Sequence, residues 1–303
     1  MISVVIPCYN SGKFVSRAIR SVLDQTWRDW ELILVNNAST DNTQAVLEAI
    51  KLSHPDKIKV LFEAKRGAPA ARNCGLRVAK GEWVQFLDAD DELLPEKLEG
   101  QYKVAQSKDP VVVVSPCRIR EVKQDQIVEN TRPVCQKDVW QALIASQLGI
   151  TSANLWRRQD LLEVGGWDED LVASQEYDLL FRLLKMGARV ELDLRNMTVV
   201  HMGQNESVSR SSDPYKALRI LEARIELRQR IKEFLKLTGT LSRERSAAAD
   251  AFIFQQLYEQ YRYHPEYVKA KLRTMSLTVP FRDKMNGLYF MFKMDVKRAL
   301  KIR

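Results

Sequence analysis

The chain has 303 residues, of which 45% are hydrophobic and 28% charged, a balance that excludes a disordered chain and suits one large domain or a domain with an appendage. Four cysteines without CxxC spacing exclude a zinc ribbon and a disulfide framework, so a reducing cytosolic compartment is expected. Net charge is +8, with seven basic and two acidic residues between Arg282 and Arg303, a bias that suits an anionic partner or a solvated face.

Met1 leads directly into the apolar run Ile2–Ile6, so no secretory leader is expected. No apolar run approaches the ~20 residues of a membrane span. Pro7, Asn10, Ser11 and Gly12 mark a turn, and Phe14, Val15, Ala18, Ile19 and Val22 recur at helical spacing. Glu31–Val35 reads as the next strand, Asn36–Asn42 as a polar turn and Thr43–Leu52 as helix. Lys57–Phe62 alternates like a strand, Pro69–Ala79 reads as helix, and the strand Trp83–Leu87 runs into Asp88-Ala89-Asp90-Asp91. Such alternation predicts an α/β domain with a mostly parallel sheet flanked by helices. Ligands of such sheets bind beyond the carboxyl ends of the strands, where the segments after Ile6, Val35 and Leu87 would lie together.

Further on, Val111–Val114 looks like a buried strand, Asp138–Leu148 and Gln175–Met186 like helices, and Arg189–Leu194 and Met197–His201 like short strands. The pattern then becomes helical. Asp213-Pro214 is a helix start, followed by the stripe Ala217, Ile220, Leu221, Leu227, Ile231, Phe234 and Leu235, with Gly239 as a stop. Ser246–Tyr263 and Met285–Arg303 also read as helices. A boundary near Ser211 divides the chain into 1–210 and 211–303.

Clustered carboxylates at a strand end need a positive partner, and oxygen-only ligands suit Mg²⁺ or Mn²⁺. The alternative for Asp90 or Asp91 is a helix cap. Six segments in order then decide the reading. They are Val4-Val5-Ile6-Pro7-Cys8-Tyr9-Asn10; Val35 to Thr43; Gly67 with Ala70-Ala71-Arg72-Asn73-Cys74-Gly75; Phe86 to Asp91; Gly165-Gly166-Trp167-Asp168-Glu169 with Gln175-Glu176-Tyr177-Asp178-Leu179 and Arg182; and His201 with Ser207 and Ser209. In this order they resemble the family 2 glycosyltransferases over about two-thirds of the chain.

The resemblance implies a GT-A fold in residues 1–210, a C-terminal helical extension in 211–303, and an inverting, metal-dependent transfer. The sugar would come from a nucleoside diphosphate donor, UDP-linked by preference, and pass to an acceptor hydroxyl of a glycan or lipid-linked molecule in surface polysaccharide or glycolipid synthesis. Pro7, Tyr9 and Asn10 would line the base pocket, Tyr9 by stacking, and Arg72 would face the nucleotide or its phosphates. Asp88 would touch ribose or base, Asp90 would hold Mn²⁺ or Mg²⁺, and His201 would add a ligand or meet the diphosphate. Glu176 would be the general base, because a sugar hydroxyl needs its proton removed as it attacks; its bland alternative is a helix cap. Two departures stand out. Asn36-Asn37 replaces two acids, so that an amide, Asn37, would read the base edge. Gln175-Glu176 replaces Glu-Asp, which lengthens the base by one methylene.

Two other functions compete. A nucleotidyltransferase would usually carry a Gly-rich basic loop after the first strand, which Pro7–Gly12 is not. A degenerate binding scaffold would not be expected to keep Asp88, Asp90, Glu176 and His201 together. No GxGxxG follows the first strand, which argues against dinucleotide binding, and no motif accompanies the charge to indicate nucleic acid. The chain is expected in the cytoplasm. Leu288-Tyr289-Phe290-Met291-Phe292 beside Lys293, Lys297, Arg298 and Lys301 leaves two readings open. One is contact with the inner face of the membrane. The other is packing on the protein itself or on a second subunit.

Overall fold

The computed structural model describes residues 1–123, 126–136, 138–202 and 213–300. They form two compact units. One is built from Met1–Gln136, Gln147–Asp170 and Gln175–Asn205, the other from Lys137–Ser146, Leu171–Ser174 and Glu206–Arg303. Ser207, Ser209, the boundary residue Ser211, Lys301 and Arg303 lie outside the described residues.

The elements in order are β1 (Ile2–Cys8), α1 (Val15–Leu23), β2 (Trp30–Asn36), α2 (Thr43–Ser53), β3 (Ile58–Phe62), α3 (Ala68–Val78), β4 (Trp83–Phe86), β5 (Glu92–Leu93), α4 (Lys97–Lys108), β6 (Val112–Val114), β7 (Cys117–Lys123), β8 (Gln126–Arg132), α5 (Val139–Ile144), β9 (Leu155–Arg157), α6 (Arg158–Glu163), α7 (Gln175–Lys185), β10 (Val190–Leu192), β11 (Thr198–Met202), α8 (Pro214–Leu237), α9 (Arg243–Gln260), α10 (Pro265–Thr274) and α11 (Phe281–Ala299).

The first unit holds a seven-stranded sheet in the order β10-β6-β9-β4-β1-β2-β3. All its pairings are parallel except those of β9, which runs antiparallel to both β4 and β6. Val4 and Ile6 of β1 and Leu32 and Leu34 of β2 are fully buried, as expected where helices cover both faces and the strands become continuous apolar runs. Val15, Ala18, Ile19 and Val22 form the buried stripe of α1. α3 lies close on β1, because a Cβ at Gly75 would fall 2.4 Å from Val5 Cγ1. Only a glycine allows that approach. The strand ends follow from the register. Cys8 pairs with Asn36, and Val5 with Phe86, so the loops after β1, β2 and β4 leave the sheet at one edge.

A second, four-stranded sheet has the order β5-β11-β7-β8. β5 is a two-residue strand just past the aspartate turn, antiparallel to β11, while β7 and β8 form a hairpin. This sheet ties the turn Asp88–Asp91 to His201 on β11.

Lys97, in the first turn of α4, is an uncommon core residue. It is 1% exposed, and its Nζ finds no hydrogen-bond partner among the described residues. Burial pushes this amine well below the ordinary lysine range, and Asp193 only partly opposes the shift. A depressed amine pKa penalises the folded state while the unfolded lysine is protonated, and the penalty fades as pH rises toward ~10.4. Lys97→Met is therefore expected to stabilise the protein by about 1–3 kcal/mol near pH 7. In thermal melts the gap between variant and wild type should narrow as pH rises toward about 9.5.

The second unit is helical. α8 begins at Pro214 with the Asp213 carboxylate accepting from Tyr215 N–H at 2.9 Å. It ends where Gly239, at φ +66°, lets Thr240 N–H return to Leu235 O at 2.8 Å. Leu221, Ile225, Ile253, Leu257, Tyr261, Val268 and Met291 form one cluster among α8, α9, α10 and α11. α5 is shorter than its apolar pattern suggests and is capped by Asp138, which accepts from Gln141 N–H at 2.7 Å. Asp138 also takes the Arg245 guanidinium at 2.6 Å.

Candidate active site

The aspartate turn emerges beside β1, with Leu87 N–H bonded to Val5 O at 3.0 Å. Asp91 is 3% exposed and accepts from Ser152 Oγ at 2.6 Å. The same Ser152 oxygen accepts from Asp88 N–H at 3.1 Å. Burial pushes the Asp91 carboxyl well up, and the charges of Asp88 and Asp90 push it further. Excess negative charge in so short a turn is the condition that favours a hard cation. Among the described residues no three His, Cys, Asp or Glu side chains converge to hold an ion. That donor set does not make a closed cage. It fits the Mg²⁺ style of binding, in which one or two carboxylates act with substrate phosphates and water.

Arg72, on α3, is buried, with its guanidinium 4.6 Å over the Trp167 ring. Its Nη2 meets Asp88 Oδ1 at 2.6 Å, and its Nη1 donates to Gln175 Oε1 at 3.5 Å. Within the protein the fork is therefore engaged by Asp88 and Gln175. A buried guanidinium needs a carboxylate, and Asp88, which is half exposed, is the group it presents to the site. Trp167 packs edge-on to Phe86 at 5.1 Å.

Glu176 sits one residue along from Gln175 in the first turn of α7 and is half buried. Among the described residues no hydrogen bond or ion pair involves its carboxylate. Asp178 is buried and bonded to Arg182 Nε at 2.8 Å. Arg182 in turn donates to Val164 O at 2.6 Å, so this acid anchors the helix.

The loop before α7 is held by Asn73 on α3. Its Oδ1 accepts from Trp167 N–H at 2.8 Å, and its Nδ2 donates to Trp167 O and Glu169 Oε1, both at 2.8 Å. Gly166, at φ +72°, has no room for a Cβ, which would meet Asn73 Oδ1 at 2.5 Å.

On the other side of the edge, Tyr9 is 48% exposed, and the Arg66 guanidinium lies 5.6 Å from its ring centre. Pro7 lies near the end of β1, paired with Val35. Asn10 takes φ +45° and crosses to the second loop, where its Oδ1 accepts from Thr40 N–H at 2.8 Å. Asp41 continues the tie by accepting from Gly12 N–H at 3.1 Å and Thr43 N–H at 3.0 Å. Asn37 is 3% exposed and is spent on the backbone after β3. Its Nδ2 donates to Glu63 O at 3.1 Å and Lys65 O at 2.7 Å, and its Oδ1 accepts from Gly67 N–H at 2.8 Å. It keeps a lone pair to accept with and no hydrogen to donate. Cys8 offers no nucleophile here, since burial pushes its thiol up to about 12.

His201 Nε2 lies 2.6 Å from Glu92 Oε1. Arg17 Nε meets that same oxygen at 3.0 Å, and Arg17 Nη2 donates to Asp90 O at 2.6 Å. Burial first, and then Arg17, hold the imidazole below its ordinary pKa against Glu92. The neutral ring therefore carries its hydrogen on Nε2, toward the carboxylate, and its lone pair on Nδ1. His201 is joined to the aspartate turn through Glu92 and Arg17. Ser152, Arg17 and Glu92 stand in no recognisable motif, and no sequence signal marks them. Asn73 stands inside one, yet its role is visible only from its contacts.

The sequence model described as Glycosyl transferase family 2 matches residues 3–165, more than half of the chain. The chain belongs to this family. An uncharacterized glycosyltransferase of Nostoc sp. is 46% identical over 113 residues, 37% of this chain and 35% of that protein. The glycosyltransferase GlyG of Streptococcus pneumoniae is 39% identical over 115 residues, 38% of each. The chain thus spans little more than a third of these relatives' length. The fold extends much further. The S. aureus TarS fragment 1–349, solved with UDP-GlcNAc, superposes with a TM-score of 0.59 at 18% identity, covering 99% of this chain and 92% of that one. The mannosyltransferase PcManGT of Pyrobaculum calidifontis, solved with GDP-Man and Mn²⁺, gives 0.59 at 18% identity over 100% and 88%. Family membership and these likenesses establish a GT-A fold followed by C-terminal helices.

Proposed function

We propose that this family 2 member is an inverting, metal-dependent glycosyltransferase that moves a sugar from a nucleoside diphosphate donor, UDP-linked by preference, to a hydroxyl of a glycan or lipid-linked acceptor. The observation that carries the proposal is the reach of one buried side chain. Arg72 contacts both Asp88 of the aspartate turn and Gln175, the neighbour of Glu176. Donor-side and base-side groups therefore share one edge of the sheet.

In this reading Tyr9 and Arg66 form a stacking wall for the base, and Asp88, oriented by Arg72 and Ser152, meets the ribose. Asp90 would hold Mn²⁺ or Mg²⁺, with His201 Nδ1 as a further donor. When bound, the ion would offset the charge of the departing diphosphate. The acceptor oxygen attacks the anomeric carbon from the face opposite the diphosphate. As the new C–O bond forms and the bond to phosphate breaks, the hydroxyl proton passes to Glu176. Among the described residues no hydrogen bond or ion pair occupies the Glu176 carboxylate, which leaves it open to the acceptor.

Asn37, with both amide hydrogens engaged, can meet a base edge only as an acceptor, which suits the N3–H of uracil or the N1–H of guanine.

Titration calorimetry with UDP, GDP, dTDP and CDP, each with and without Mn²⁺, tests the whole reading. The expected result is metal-dependent binding of one diphosphate that is lost in Asp90→Ala. Absence of binding under every condition would sink the proposal and leave a nucleotide-free scaffold.

A further inference from the structure

We infer that α11 is a docking face for an anionic phospholipid bilayer. The inference concerns the helical unit alone and is independent of the transferase reading. Its rotation is set by Gly287, which is buried where a Cβ would lie 2.5 Å from the Phe254 ring. That close approach turns Gly287 and Met291 toward α9 and pairs Phe290 with Tyr258 at 5.7 Å. The apolar run 288–292 is thereby split. Phe290 and Met291 pack on the protein, while Leu288, Tyr289 and Phe292 face outward, the last two 69% and 66% exposed.

The outward residues are one row. Phe281, Met285, Leu288, Tyr289, Phe292 and Val296 are all exposed, and their spacing of three, four and seven residues puts them on one face of a helix. Burying Gly287 and Met291 places this row on the side opposite α9. A solvated helix does not present six large apolar residues in register, so this row has a partner.

The charges identify it. On a helical wheel Arg282, Lys293 and Lys297 border the row on one side and Lys284 on the other. Of the two acids, Asp283 is exposed but falls on the wheel away from the row, and Asp295, with a side chain 45% exposed, stands beside Lys284. Asp283 lines a cavity of about 210 Å³ with Phe254, Tyr258 and Asn286. Asp295 is taken up by the Tyr261 hydroxyl at 2.7 Å and Arg298 at 2.8 Å. An apolar and aromatic face with basic margins is the pattern of a helix lying in the headgroup region of an anionic membrane. A second copy of the same face would set basic margins against each other, and Asp295 is already engaged by Tyr261 and Arg298.

Flotation of the full chain with vesicles tests this. With phosphatidylcholine–phosphatidylglycerol vesicles the protein is expected to float, and with phosphatidylcholine alone far less. Lys284→Gln with Lys293→Gln should weaken partitioning about 25-fold, at about five-fold per charge. Tyr289→Glu with Phe292→Glu should abolish it. Because all four side chains face solvent, melting temperatures should stay unchanged, which separates loss of docking from loss of fold. Failure of the wild type to float, or binding indifferent to both double variants, would overturn the inference. Self-association in sedimentation that the Tyr289/Phe292 variant abolishes, while the wild type ignores vesicles, would assign the face to a second copy instead.

Discussion

Glu176→Gln is expected to lower kcat by about 10²- to 10⁴-fold, the usual contribution of a general base, while nucleotide affinity stays at the wild-type level. The substitution keeps the size and polarity of the side chain and removes only its ability to take a proton. Because the carboxylate has no partner among the described residues, no ion pair is broken and little stability should change. The neighbouring acid provides the contrast. Asp178→Asn cuts the tie from a buried carboxylate to Arg182, which holds Val164 O, so it should reduce melting temperature before it reduces kcat. Steady-state kinetics with the donor identified by calorimetry would separate the two. A Glu176→Gln enzyme with wild-type kcat would remove this residue from the base role.

The second large effect is expected on stability. Asn73→Ala removes three hydrogen bonds at once and strands the N–H and carbonyl of Trp167, a residue that is 2% exposed. Buried groups left unpaired cost about 1–3 kcal/mol each, so a loss of about 2–4 kcal/mol follows, equivalent to a fall in Tm of about 5–10 °C. Asn73→Asp should be no rescue. It keeps the acceptor for Trp167 N–H, but it sets a carboxylate against the Trp167 carbonyl and against Glu169. Activity should fall as well in both variants, because Trp167 underlies Arg72 at 4.6 Å and Arg72 orients Asp88. Differential scanning calorimetry beside kcat measurements would test the pairing of the two losses. An Asn73→Ala protein with unchanged Tm would show that the loop holds itself.

The alternating elements of the first unit are legible in the chain because local forces dominate them. β1 and β2 are apolar runs bounded by turn residues, and α1 carries its stripe at helical spacing. The elements missed have the opposite character. α4 contains Gly100 and turns Lys97 and Gln101 inward, so its buried face is partly polar and shows no clear apolar period. β9 is three residues long, and its place between β4 and β6 depends on partners far away in the sequence.

The site divides along the same line. The residue types of the aspartate turn, Arg72, Glu176 and His201 were readable because they stand in ordered segments. What each of them touches was not. The sequence by itself determined the class of chain, the order of its strands and helices through β4, and the amphipathic nature of α11, since all three rest on contacts within a few residues. Only the tertiary structure decided that Arg72 pairs with Asp88, that Asn37 gives its hydrogens to the 63–67 backbone, and that Ser152 bridges Asp88 and Asp91. It also decided that Gly287 turns half of an aromatic run to the outside. Those choices depend on contacts between residues tens of positions apart, where burial forces each polar group to find a partner and no local pattern encodes which partner that is.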